Sequence, residues 1–170
     1  MALQDDDRLL RLAAVLFAAA VLLHNGDHLR RGGDSVATDV FVLGTLGMVL
    51  EVAVVALVLM GHRLGPLVAA SVGASLTAGY LLVHLSPERP WFSDSLTAGE
   101  NVTWFTWVAV VGLVVGSSFL AAAAWSVLRR RGDLPSALRP VAPTATALHP
   151  VTTTMAVGNL IILAGSVATL

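Results

Sequence analysis

His24, Asp27 and His28 lie in the run Leu23-His24-Asn25-Gly26-Asp27-His28-Leu29, at the end of a long apolar stretch. On a continuous helix, positions 24, 27 and 28 share one face, so two imidazoles and a carboxylate converge there. A transition metal, a haem or a proton relay requires that combination. Two histidines at i and i+4 project neighbouring ring nitrogens, and an imidazole from another helix completes a set of three ligands. His84 is the candidate third ligand. Asp27 is then a fourth ligand, an orienter of an imidazole, or a general base. Position 25 is asparagine rather than glutamate, so the full zincin pattern is absent. The plainer alternative is that these groups end a span at the lipid headgroups, with Arg30 and Arg31 on lipid phosphate.

Composition narrows the chemistry. Hydrophobic residues make up 56% of the 170 residues and charged residues 12%, with mean hydropathy +0.80. A soluble domain carries about 25% charged residues, so this is the composition of a membrane protein. All ten basic residues are arginine, and the absence of lysine excludes Schiff-base chemistry. The absence of cysteine excludes thiol redox chemistry, disulfides, iron–sulfur clusters and thiolate-held haem or zinc. A divalent metal (Zn, Fe or Cu) would be held by His, Asp, Glu, Met or backbone oxygen. Met48, Met60 and Met155 are too scattered for a copper-type methionine cluster. Haem would need one imidazole from each of two spans, His24 or His28 with His84. Arginine without lysine, amid abundant Ala, Val, Leu and Gly, suggests a GC-rich bacterial genome, and hence a multi-pass protein of the bacterial plasma (inner) membrane.

Crossing a hydrocarbon core takes about 20 helical residues. The pattern predicts an all-α, polytopic membrane helix bundle: a single integral membrane domain over 1–170 with five transmembrane helices, near 8–28, 36–60, 64–85, 102–128 and 150–170. The first segment follows an acidic Asp5-Asp6-Asp7 and reads as a retained span rather than a signal peptide. Its uninterrupted apolar part, Leu12 to Leu23, is too short to cross. The helix must therefore run back through Arg8 and Arg11 and forward to about His28, or break at Asn25-Gly26. Five spans place Arg8, Arg11, Arg63, Arg129, Arg130, Arg131 and Arg139 on one side and Arg30, Arg31 and Arg89 on the other. That asymmetry predicts the N-terminus inside and the C-terminus outside. Trp91, Trp104 and Trp107 then mark the outer interface and Trp125 the inner one. Small residues suited to close helix packing recur: Gly112 and Gly116 as GxxxG, Ser71, Ser75 and Gly79 in the third span, Gly44 and Gly47 in the second.

The same topology gathers His24, Asp27, His28, Asp39, His84, Asp94 and Glu100 on the outer side, and sends His62 and His149 to the other. Tyr80, one turn from His84, is placed to hydrogen-bond it and support a bound cofactor. Glu51 falls near the middle of the second span, where a carboxylate is expensive, with Asn159 and Thr77 as candidate partners. It reads either as a neutral bridge between helices or as a proton-transfer group separate from the histidines. Asn101-Val102-Thr103 matches a glycosylation sequon by chance, and Arg129 to Arg131 form a topogenic patch with no case for nucleic acid.

Three functions compete. The first is a His/Asp metal or haem site near the outer face, with His24, His28 and His84 as ligands, Asp27 and Glu51 in catalytic roles and Tyr80 in support, doing redox or hydrolytic chemistry on a lipid-soluble molecule. The second is a proton-coupled transporter or channel using Glu51, for which a homodimer would form the pore. The third is a non-catalytic accessory subunit of a larger membrane complex. Membrane lipids are partners in all three.

Overall fold

The computed structural model describes residues 2–32, 35, 37–85 and 94–132. They form four helices: α1 (Ala2–Arg31), α2 (Thr38–Leu59), α3 (Gly65–Leu85) and α4 (Trp104–Arg131). Asp6–Arg31 of α1 and the whole of α2, α3 and α4 are long and apolar enough to cross a membrane, as a multi-pass protein requires. In lipid every backbone N–H and C=O must be satisfied internally, and the helix does this within one segment. The expected fifth span at 150–170 lies outside the described residues, as do Arg89, Trp91, Arg139, His149 and Asn159.

The first span runs straight through Asn25-Gly26. Asn25 does not break it, because its side-chain amide donates to the Val21 carbonyl at 2.8 Å, along the helix. The helix ends at Gly32, whose φ of 95° only glycine adopts cheaply and whose N–H bonds the His28 carbonyl at 3.1 Å. His24 to Arg31 therefore stay on a regular helical face.

Each helix packs on its two neighbours in chain order, and α1 closes the ring against α4. At one end Arg130 reaches Asp6 at 2.6 Å and Arg131 reaches Asp7 at 2.5 Å, tying the end of α4 to the start of α1. This arginine end also carries His62, in the α2–α3 turn, whose Nδ1 accepts the Leu64 N–H at 3.2 Å. His24, His28 and His84 are at the opposite, histidine end, where Trp104 and Trp107 of α4 are exposed.

The core between the two ends is apolar, with Phe17, Val54, Leu113, Leu120 and Val127 its largest enclosed hydrophobic side chains. Two glycines set the helix spacing. A Cβ on Gly116 would stand 3.3 Å from Phe17 Cα, and one on Gly73 only 2.9 Å from the Ser117 carbonyl oxygen. Thr77 and Ser117 hydroxyls bond at 2.8 Å beside that second contact. Gly112, Gly79, Gly44 and Gly47 meet nothing within 4 Å, so only Gly116 of the GxxxG pair is a contact point. The α2 helix buries only Glu51, Val54 and Val58 and turns Phe41, Leu46, Val49 and Val52 outward.

Candidate functional site

His24 and His28 come from the last turns of α1 and His84 from the last turn of α3. Because α1 and α3 run in the same direction across the ring, their ends bring the three rings together. His24 and His28 Nε2 are 3.0 Å apart, one N–H donating to the other ring's lone pair. The His24 and His84 centroids are 5.1 Å apart with the rings nearly perpendicular. The sequence-based trio thus does converge.

Its carboxylate is not the expected one. Asp27 is buried but turns toward α4, accepting from Arg30 Nε at 2.9 Å and from the Thr106 hydroxyl at 3.3 Å. The carboxylate beside the imidazoles is Asp94, whose Oδ2 lies 3.5 Å from His84 Nδ1 and 4.0 Å from His28 Nε2. Its backbone carbonyl holds His84 Nδ1 at 2.9 Å. A carbonyl only accepts, so Nδ1 carries the hydrogen, and a neutral ring then keeps a bare lone pair on Nε2. This is the support a metal-binding histidine usually has.

Asp94 is held in place by α1. Both its carboxylate oxygens accept from Arg31, at 2.8 and 2.6 Å, and Arg31 Nε donates to the Glu100 carbonyl at 3.1 Å. Both side chains of this pair are 1% exposed. The backbone adds to the seating: Asp94 N–H bonds the Val83 carbonyl and Leu96 N–H the His84 carbonyl, using acceptors that the end of α3 leaves open. Asn101, at φ 55°, donates its amide to the Arg31 carbonyl and gives its own carbonyl to Arg30. Thr106 Oγ1 accepts from Arg30 at 3.1 Å and from the Thr103 N–H, knotting the start of α4 into the same clasp.

Arg30 and Arg31 therefore turn inward to Asp27 and Asp94 rather than out to lipid phosphate. Asp39 and Glu100 side chains are exposed and do not join the cluster. Arg31 and Thr106 are additions to the sequence-based site, and Asp94, which the sequence placed on the same side, had no role there. The available signal was the excess of acids around two adjacent arginines, which does not say which acid pairs with which arginine.

Tyr80 and Glu51 also differ from expectation. The Tyr80 hydroxyl donates to a Glu51 carboxylate oxygen of α2, not to His84. Its ring stands 6.1 Å from His24, edge to face. Thr77, a proposed Glu51 partner, is instead bonded to Ser117 and to the Gly73 carbonyl. Glu51 is buried, and Tyr80 is its side-chain link toward the imidazoles.

Among the described residues, no three His, Asp or Glu side chains stand ready as a metal site. His24 and His28 share a hydrogen bond, and Asp94 gives both oxygens to Arg31. No family model matches the chain, and neither the curated proteins nor the solved structures contain a significant match.

Proposed function

We propose that the protein is a small membrane protein whose His24, His28 and His84 side chains bind a divalent transition-metal ion near the outer face of a bacterial plasma membrane. The observation that carries this reading is the 3.0 Å separation of His24 and His28 Nε2. Neighbouring nitrogens on a metal with bonds of about 2.0–2.1 Å stand about 3.0–3.4 Å apart. The two rings thus need only small rotations to aim both lone pairs at one point, and His84 presents a third. No net proton has to leave the imidazoles themselves, because the ring that donates through Nε2 becomes its Nδ1–H tautomer. A single ion is favoured over haem, since rings in edge contact leave no gap for a macrocycle between them.

A bound ion would supply Lewis-acid or redox chemistry. The chain's own part is to hold three imidazoles in a fixed array, to seat His84 through Asp94, and to screen that pair from lipid. The molecule acted upon is lipid-soluble. In support, a crevice of about 100 Å³ between α3 and α4 is lined by Tyr80, Leu81, Leu96, Trp107, Val110 and Val114, among others, and adjoins the cluster through Tyr80.

Titration of the purified full chain with Co2+, followed by its visible absorption, tests the reading. One ion per chain is expected, with binding abolished by His24→Ala and by His84→Ala. Absence of stoichiometric binding, or binding indifferent to both substitutions, overturns it.

A further inference from the structure

We propose that Glu51 and Tyr80 form a blind proton branch of the histidine centre, which releases a proton toward the histidine end when a cation arrives. This rests on the metal reading above and adds a charge-compensating group to it.

The charges around the imidazoles already cancel in pairs. Asp94 is matched by Arg31 and Asp27 by Arg30. A dication therefore enters a centre with no spare negative charge, in surroundings where uncompensated charge is costly. Among the described residues, the buried acid that stands outside any ion pair is Glu51, enclosed in the bundle with the Tyr80 hydroxyl on it. The titratable groups around it are Tyr80 and His84 on α3 and His24 and His28 on α1. The part of α4 packed in the core adds hydroxyls but no ionisable group, and Asp39 of α2 is exposed three turns away.

Tyr80 is oriented for such a role, its hydroxyl on Glu51 and its ring against His24. On cation binding the Glu51 carboxylic acid gives up its proton to water at the histidine end, and the Tyr80 O–H steadies the charge left behind. Glu51 is left as a carboxylate that accepts the Tyr80 O–H. No electron moves and no other bond changes.

The branch is closed on its other side. From Glu51 toward the arginine end the interior is Phe17, Val54, Val58, Val72 and Leu120, and among the described residues no ionisable side chain occurs until Arg11, His62, Arg63 or the end arginines of α4. The Thr77 and Ser117 hydroxyls there donate into their own helices or to each other. Protons can leave in one direction only, so the branch compensates charge without conducting across the membrane.

The test uses the full chain in detergent and in liposomes, with Zn2+ as the probe. Zn2+ binding should release about one proton per ion in weak buffer, and Glu51→Gln should abolish that release. The protonated-carboxyl infrared band lost in Glu51→Gln should disappear from the wild type as Zn2+ binds and persist in Tyr80→Phe. Liposomes should be as proton-tight as protein-free ones. Zn2+ binding that leaves the Glu51 band unmoved overturns the branch while the metal reading stands. A proton leak abolished by Glu51→Gln overturns its blind end. If Zn2+ does not bind, the metal reading fails and with it the branch as a compensating group.

Discussion

Arg31 and Asp94, 63 residues apart in the chain, meet as a two-pronged ion pair closed off from solvent at the histidine end of the bundle. This pair fastens the segment after α3 onto the end of α1, and it carries the carbonyl that fixes the His84 ring. A paired buried charge contributes modestly, whereas an orphaned one is strongly destabilising. Arg31→Ala should lower stability by about 3–5 kcal/mol in a detergent unfolding titration. Arg31→Lys should recover only part of this, because an ammonium cannot take both carboxylate oxygens and the Glu100 carbonyl together. Arg30→Ala should cost less, because the Arg30 side chain is 38% exposed and the Thr106 hydroxyl still donates to the buried Asp27 that it leaves. Equal losses for the two arginines would contradict the clasp.

The two close helix contacts make a separate prediction. Gly116→Ala and Gly73→Ala push a methyl against Phe17 and against the Ser117 carbonyl and should each cost about 1–3 kcal/mol. Gly112→Ala and Gly79→Ala meet open space and should be neutral, or stabilising by about 0.4–1 kcal/mol through lost backbone freedom. Thermal melts of the four variants check this. A destabilised Gly112→Ala would mean that this face packs against something beyond the described chain.

Much of this was legible in the sequence because hydrocarbon imposes so simple a rule. Apolar runs of spanning length located α1 to α4 to within a few residues, except at the start of α1. The sequence left open whether α1 breaks at Asn25-Gly26 or runs on to about His28, and the helix runs on. The His24–His28–His84 grouping followed from an i, i+4 spacing and from helix direction. The pairings of Asp27, Asp94, Arg30 and Arg31 were not legible. Helical periodicity puts Asp27 on the face of His24, yet a long arginine three residues on and a hydroxyl at Thr106 decide where its carboxylate turns. That Asp94 rather than Glu100 meets Arg31 depends on how residues 94–101 settle against the ends of α1 and α3. Tyr80 shows a similar limit: spacing put it beneath His84, but its hydroxyl is long enough to reach the neighbouring α2.

The exchange of Asp27 for Asp94 gives a direct test at the site. Asp94→Asn weakens the seat of the His84 carbonyl contact and should lower metal affinity about 10–100-fold. Asp27→Asn should change affinity less than about 10-fold, since its effect is confined to the α1–α4 contact. Competition titrations with a chelator of known affinity measure both. A larger loss for Asp27→Asn would restore Asp27 as the supporting carboxylate.

The Tyr80–Glu51 bond sets stability against function. Tyr80→Phe strands a buried carboxyl and should cost about 1–3 kcal/mol. Glu51→Leu removes the carboxyl together with its need for a partner, and hydrophobic replacement of buried polar groups is often neutral or stabilising. Once Glu51 is leucine, Tyr80→Phe should cost little, so a double-mutant cycle should give a coupling of at least about 0.5 kcal/mol. A coupling of zero would mean that the hydroxyl and carboxyl do not act as a pair. If Glu51→Leu is the more stable protein and yet binds Zn2+ without releasing a proton, the carboxyl is kept at the expense of stability for the charge it supplies.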